Sequence, residues 1–268
     1  MVSEAATLLE QLVQAVQESA KYREVCEDLI RRLGARELER RRNLKEAIKE
    51  TKNTLHQVAG AYLDHTPRYT EGLARLTADP TDRDALASLM QQHASTRERL
   101  PYLDDFYSAL FAALPPIHSI LDLASGLNPL AQPWMGLPPE VRYDAYDLYG
   151  DMMAFLDAYF CLSGRNGAAH VCDVIAHPPS QPADLALILK FLPVLEQTDR
   201  GLTLDWLRRL QVRYLLITFP TRSLGGRGKG MAENYENRFH ELLQQTDWTA
   251  ERFAFPNELA FLVRKLPG

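Results

Sequence analysis

Cysteine is scarce in this 268-residue chain, which has three: Cys26, Cys161 and Cys172. None of them shares metal-ligand spacing, so no metal site, zinc ribbon or disulfide framework is expected. Reduced thiols in a cytoplasmic protein fit best. Long apolar runs are missing too. No stretch reaches the roughly 18 residues that span a bilayer. The opening Met1-Val2-Ser3-Glu4 lacks the basic and apolar regions of a signal peptide. No membrane partner is expected. The net charge is only −5, so composition does not announce a nucleic-acid binder. The glycines never form G-x-G-x-x-G, which argues against a dinucleotide site that grips phosphate. What is there is a globular composition, 46% apolar and 24% charged. The length suffices for one large domain or two smaller ones.

The chain is organised around Ile120-Leu121-Asp122-Leu123-Ala124-Ser125-Gly126-Leu127-Asn128-Pro129. Residues 118–123 read as a strand buried on both faces, closed by Gly126. Pro129 suits a first helical position. Backbone amides at such a turn can approach a ligand closely. An ordinary strand-to-helix connection would look the same.

Everything before Pro115 reads as helical. Residues 3–33 carry Leu8, Leu9, Leu12, Val13, Val16, Val25, Leu29, Ile30 and Leu33 at helical spacing, with Gly34 as a stop. Residues 36–57 continue as a charged helix. Thr81 is expected to cap a short helix with Asp84 at its third position. Residues 93–99 read as a polar segment, and 102–114 as a helix. Between residues 31 and 52 there are nine basic side chains against four acids. Arg40, Arg41, Arg42 and Lys45 stand in that run. It is either a solvated helix face or a footprint for a phosphate backbone.

After Pro116 strands and helices alternate. Strands are expected at 118–123, 142–147, 168–171, 185–189 and 213–219, and helices at 129–135, 151–162, 203–210 and 233–245. Two last strands, 251–255 and 259–264, are joined too tightly for a parallel crossover and must form an antiparallel hairpin. The pattern is α/β. It fits the class I methyltransferase fold, a Rossmann-like, seven-stranded, mostly parallel sheet whose ligands bind at the carboxyl ends of the strands.

Asp147 ends the second expected strand, where a carboxylate can accept both hydroxyls of a ribose. Asp173 follows the third and can accept from an adenine amine. Each alone is more often a helix cap or a surface acid. With the turn at 124–128 they favour an adenosyl ligand without phosphate. Amino methyltransferases carry a D/N-P-P-Y/F turn after the fourth strand, and Lys190-Phe191-Leu192-Pro193 stands there instead. Cytosine-C5 enzymes need a nucleophilic cysteine, and none is expected near this edge. An acceptor that is already nucleophilic, such as a ring nitrogen, needs only alignment. Residues 219–231 hold four glycines with Arg222, Arg227 and Lys229 and no acid. Beside a ligand edge, that composition suits a phosphate backbone, a bare surface loop being the other reading.

On residues 219–231, 93–99, 121–129 and 184–193, and on Leu55-His56-Gln57 with Ala61-Tyr62, the chain resembles the aminoglycoside-resistance 16S rRNA guanine-N7 methyltransferases of the Arm/Rmt type. Ala124-Ser125-Gly126 departs from a family pattern closer to G/A-C-G. The resemblance implies an all-helical N-terminal domain over residues 1–100 that docks on the 30S subunit. It implies a domain over 101–268 that binds S-adenosyl-methionine, and a monomer that methylates a guanine in the decoding-site helix. It implies that His93, Ala94, Ser95 and Arg99 lie beside the cofactor, Arg99 pairing its carboxylate. Ala124 would stack at the turn, Asp147 would hold the ribose, and Asp173 and Val174 the adenine. Leu189 and Gln197 would complete the wall, and Lys190 would face the target base. Two rivals stand beside it: an RNA-binding protein without turnover, against which Asp147 and Asp173 argue, and a small-molecule methyltransferase, against which the basic 31–52 face and the 226–230 loop argue.

Overall fold

Parallel strands need crossovers of a dozen residues or more, and the helices between them cover both faces of the resulting sheet. The second half of the chain is built this way. The computed structural model describes residues 2–58, 68–198, 200–221 and 230–265. Seven helices come first: α1 (Val2–Gln17), α2 (Glu27–Arg40), α3 (Leu44–Val58), α4 (Tyr69–Leu76), α5 (Arg83–Met90), α6 (Ala94–Arg99) and α7 (Leu103–Ala112). Then follow β1 (Ser119–Leu123), α8 (Gln132–Met135), β2 (Arg142–Asp147), α9 (Gly150–Ser163), β3 (Gly167–Val171) and β4 (Ala183–Leu189). The chain continues with α10 (Leu192–Thr198), α11 (Thr203–Arg209), β5 (Val212–Pro220), α12 (Met231–Leu243), β6 (Thr249–Phe255) and β7 (Glu258–Arg264).

The seven strands form one sheet in the order β3-β2-β1-β4-β5-β7-β6. The first five run parallel, and β7 pairs antiparallel with both β5 and β6. The order reverses between β1 and β4, which opens a crevice at their carboxyl ends. Ile120, Leu185, Leu187 and Leu216 face a core shared with α4, α5, α7 and α9. Leu121, Leu123, Ile188 and Ile217 face the opposite core, with Trp206, Leu207 and Phe239. Helices α1 to α3 enclose a third core around Leu12, Val16, Leu29, Ile30 and Leu55. The α1–α2 connection ties this third unit to the sheet. Val25 bridges Tyr149, Cys26 N–H donates to Leu148 at 2.7 Å, and Gly150 N–H donates to Glu24 at 2.7 Å.

Several local expectations are corrected. The charged stretch 36–57 is not one helix: α2 ends at Arg40, and Asn43 starts α3 by accepting from Glu46 N–H at 2.9 Å. Gly34 does not stop a helix. It lies within α2, where a Cβ would meet Leu12 at 2.4 Å, so glycine permits close helix packing there. Asp82, not Thr81, caps α5, accepting from Asp84 and Ala85. The hydroxyl and amide of Thr81 go to Asp79 instead. Residues 94–99 are helical, and α10 occupies a stretch for which no helix was expected. Among the described residues no helix is long and apolar enough to cross a membrane.

Candidate functional site

A cleft of about 860 Å³, mouth included, opens at the carboxyl ends of β1, β2, β3 and β4. Two strained residues mark it. Ala124, after β1, has φ +54°, and Lys190, after β4, has φ +59°. They are the only non-glycine residues with positive φ among those described. A left-handed conformation at a residue with a Cβ costs about 1–3 kcal/mol and persists where surrounding structure enforces it. For Lys190 the enforcement is visible: its N–H donates to Thr218 O at 3.1 Å and Thr218 Oγ1 at 2.9 Å. Gly126 also has positive φ, +52°, and a Cβ there would lie 2.6 Å from the His93 ring. The turn after β1 is therefore pressed against the residue that opens α6.

Asp147 closes β2 beside this turn. Its Oδ2 accepts from Gly126 N–H at 2.8 Å and its Oδ1 from Leu148 N–H at 2.6 Å. Burial pushes the carboxyl up, against the pull of those two amides. Among the described residues no cation pairs with it, so lone pairs remain for hydroxyl donors. Asp173, 2% exposed, pairs with Arg32 Nε at 2.7 Å. Leu29, Val174, Leu189, Phe191 and Val194 supply apolar wall between these polar groups. Acceptors for hydroxyls and an amine within apolar walls, with no Gly-rich phosphate cradle among the described residues, are what a nucleoside without phosphate requires. The residues present fit an adenosyl cofactor.

The other end of the cleft is a buried charge network. Arg99, 1% exposed, donates from Nε and Nη2 to Glu258 at 3.0 and 2.6 Å, and from Nη1 to Asn128 Oδ1 at 3.2 Å. Lys190 Nζ lies 2.7 Å from Glu98 and 3.7 Å from Glu258. Burial raises the Glu258 carboxyl, but Arg99 and Lys190 outweigh it and hold it below its ordinary value. Behind Arg99, Asn128 Nδ2 donates to Asp122 at 2.9 Å, and Tyr143 donates to the same oxygen at 2.6 Å. Burial pushes Asp122 up to about 6.

His93, Ser95, Arg99, Ala124, Asp147, Asp173, Val174, Leu189 and Lys190 all line this one cleft. Ala94 is buried in α6 and is not among the lining residues. Gln197 lies in α10, with its side chain outside the described residues. Arg222, Arg227 and Lys229 also lie outside them. Arg40, Arg41, Arg42 and Lys45 are exposed at the corner between α2 and α3 and do not line the cleft. Arg41 is paired with Glu37 at 2.7 Å. Contrary to expectation, a cysteine does reach the ligand edge. Cys172 lines the cleft, and burial first, then Cys26, Asp173 and Asp28, push its thiol up to about 11, away from the thiolate that a nucleophile needs. Sequence reasoning missed Glu98, Asn128 and Glu258, and missed that Leu29, Arg32 and Val58 enter the cleft from the N-terminal helices. Only Asn128 carried a local signal, its place in the turn.

A family model described as "Ribosomal RNA methyltransferase (FmrO)" matches residues 18–262. A protein of Frankia casuarinae named "16S rRNA (guanine(1405)-N(7))-methyltransferase" is 40% identical over 96% of this chain and 95% of its own length. One of the same name from Micromonospora echinospora is 36% identical over 96% and 97%. The crystal structure of the 16S rRNA methyltransferase RmtF in complex with S-adenosyl-L-homocysteine superposes with a TM-score of 0.83, at 35% identity and 98% coverage of both chains.

Proposed function

The chain belongs to the FmrO family of ribosomal RNA methyltransferases, and we propose that it methylates N7 of a guanine in the decoding-site helix of 16S rRNA within the 30S subunit. S-adenosyl-methionine is the methyl donor, and the protein acts as a cytoplasmic monomer. The observation that carries the reading is Asp147, a carboxylate at the end of β2 held, among the described residues, by the amides of Gly126 and Leu148 alone. It has the free lone pairs that a ribose needs. Asp173 and Val174 take the adenine, and Leu189 closes the wall. His93 and Ser95, which line the cleft, flank the donor. Arg99 keeps N–H groups beyond those given to Glu258 and Asn128, and these receive the carboxylate.

When bound, the cofactor supplies an electrophilic methyl group on a sulfonium sulfur. The N7 lone pair is already nucleophilic, so this chain needs no base and no covalent step, only alignment. Lys190 orients the base, steadied by Glu98 at 2.7 Å. A base inside a helix must first leave its stack, at a cost of a few kcal/mol. Arg40, Arg41, Arg42 and Lys45, with Arg222, Arg227 and Lys229, hold the rRNA phosphates.

Methylation places a fixed charge and a methyl group on an edge that otherwise accepts a hydrogen bond. A cationic 4,6-disubstituted 2-deoxystreptamine drug on that edge loses an acceptor, at ~1–3 kcal/mol before clash and repulsion are added. Resistance to such drugs follows. The test is to incubate protein, methyl-labelled cofactor and purified 30S subunits, then map the label. Label on N7 of one guanine supports the proposal. Label on an exocyclic amine, or a trapped protein–RNA adduct, refutes it.

A further inference from the structure

Arg32 belongs to the basic run 31–52, and composition groups it with the RNA-facing cations. The fold turns it inward. Its Nε donates to Asp173 Oδ2 at 2.7 Å, and both residues line the cleft. Asp173 is gripped from a second side, its Oδ1 accepting from Ile175 N–H at 3.2 Å. The carboxylate is thus fixed in orientation while its oxygens keep lone pairs. Leu29, three residues earlier on α2, lines the same cleft. Arg32 Nη1 is buried and has no hydrogen-bond partner among the described residues. A buried guanidinium N–H without an acceptor is costly, and such groups are rare unless something fills the gap.

A guanidinium with a donor to spare, bonded through Nε to a carboxylate acceptor, has a chemical complement. Adenine presents a ring acceptor, N1, next to an amine donor, N6. Hypoxanthine reverses both: its O6 accepts and its N1–H donates. Resting on the reading that the adenosyl base lies at Asp173–Val174, we infer that Arg32 is a specificity residue of the cofactor site: its Nη1 donates to adenine N1 while Asp173 accepts from N6. A residue of the N-terminal helices then reads the base jointly with the sheet.

Calorimetry on the full chain tests this with three probes: S-adenosyl-homocysteine, its 1-deaza analogue, which replaces ring N1 by C–H, and S-inosyl-homocysteine. The wild-type protein should bind the 1-deaza compound roughly ten- to a hundredfold more weakly than the parent, the range of one charge-assisted hydrogen bond. The inosyl compound should lose at least as much. In Arg32→Met the adenosyl and 1-deaza compounds should bind alike, and Arg32→Lys should restore part of the difference. A merely structural Arg32 would lower both affinities and leave their ratio as in the wild type, which would overturn the assignment. Equal binding of the two compounds by the wild type would overturn it without any variant, so a misfolded variant does not block the test. No binding of S-adenosyl-homocysteine by the wild type would instead refute the adenosyl reading of the cleft itself, and the inference with it.

Discussion

Alanine in place of Glu258 would strand an arginine beneath the cleft. Glu258 opens β7, is fully buried, and accepts from Arg99 twice and from Thr218 Oγ1 at 2.5 Å. Deleting one partner of a buried pair costs roughly 3–5 kcal/mol, because the surviving charge stays buried and uncompensated. Lys190 keeps Glu98 at 2.7 Å, so the loss falls on Arg99, left with Asn128 at 3.2 Å. Total stabilities run to about 5–15 kcal/mol, so this is a large fraction. At roughly 2–4 °C per kcal/mol for a chain near this size, the melting temperature should fall by about 6–20 °C. Thermal and urea melts followed by tryptophan fluorescence at pH 7 would read it. The same reasoning makes the joint variant Arg99→Met with Glu258→Leu less damaging than Glu258→Ala, since no lone charge remains. The reasoning fails if Glu258→Ala stays within the roughly 0.5 kcal/mol of an ordinary surface substitution. It also fails if the joint variant is no more stable than the single one.

Asp147→Ala should weaken S-adenosyl-homocysteine binding roughly ten- to a hundredfold, the worth of charge-assisted bonds to the ribose; unchanged calorimetric affinity would sink that role. Reversing Arg40, Arg41 and Arg42 to Glu should lower 30S binding and flatten its salt dependence but spare cofactor affinity, since none of the three lines the cleft. Arg41 should matter least, being paired with Glu37. Burial lifts Asp122 to about 6 when folded, above the roughly 3.9 of an unfolded chain, so the folded protein takes up this proton first. The stability that this proton brings is fully present below the lower value and lost as pH rises through about 6. Asp122→Asn should flatten this part of the profile in urea melts across that window, and an unaltered profile would reject the assignment. Expressed in a susceptible bacterium, the protein should raise inhibitory concentrations of gentamicin and kanamycin and leave apramycin effective; apramycin resistance would move the methylated position to a neighbouring adenine.

What the sequence made legible has a local origin. The turn after β1 announces itself by an apolar run closed by Gly126, Asp147 by its place at the end of a strand and Asp173 by its place just after one. The hairpin β6–β7 follows from a connection too short for a crossover. Each of these signals fits within ten residues or so. Helix ends were read less well because competing side chains decide them. Asp79 accepts from both the hydroxyl and the amide of Thr81, which leaves Asp82 to cap α5. The positive φ of Lys190 has no sequence signal, because it is enforced by Thr218 on the neighbouring strand.

The residues that sequence missed acquire meaning only across long separations. Glu258 looks like an ordinary polar start to an edge hairpin, yet it answers Arg99 from 159 positions away. Arg32 looks like one more cation in a solvated run, yet its partner lies 141 positions on. Nothing in the periodicity of α2 separates Arg32 from Arg36 or Arg40, because an apolar stripe leaves the polar flank unspecified. What separates them is the bridge between Val25 and Tyr149, which seats the start of α2 against the end of β2. With that end fixed, Leu29 and Arg32 reach the cleft, while Arg36 and Arg40, one and two turns further along, stand exposed. The same basic run therefore divides into an inward part that lines the cleft and an outward part open to solvent. That division is set by a two-residue β-bridge, a contact that leaves no mark on composition, charge or hydrophobic period.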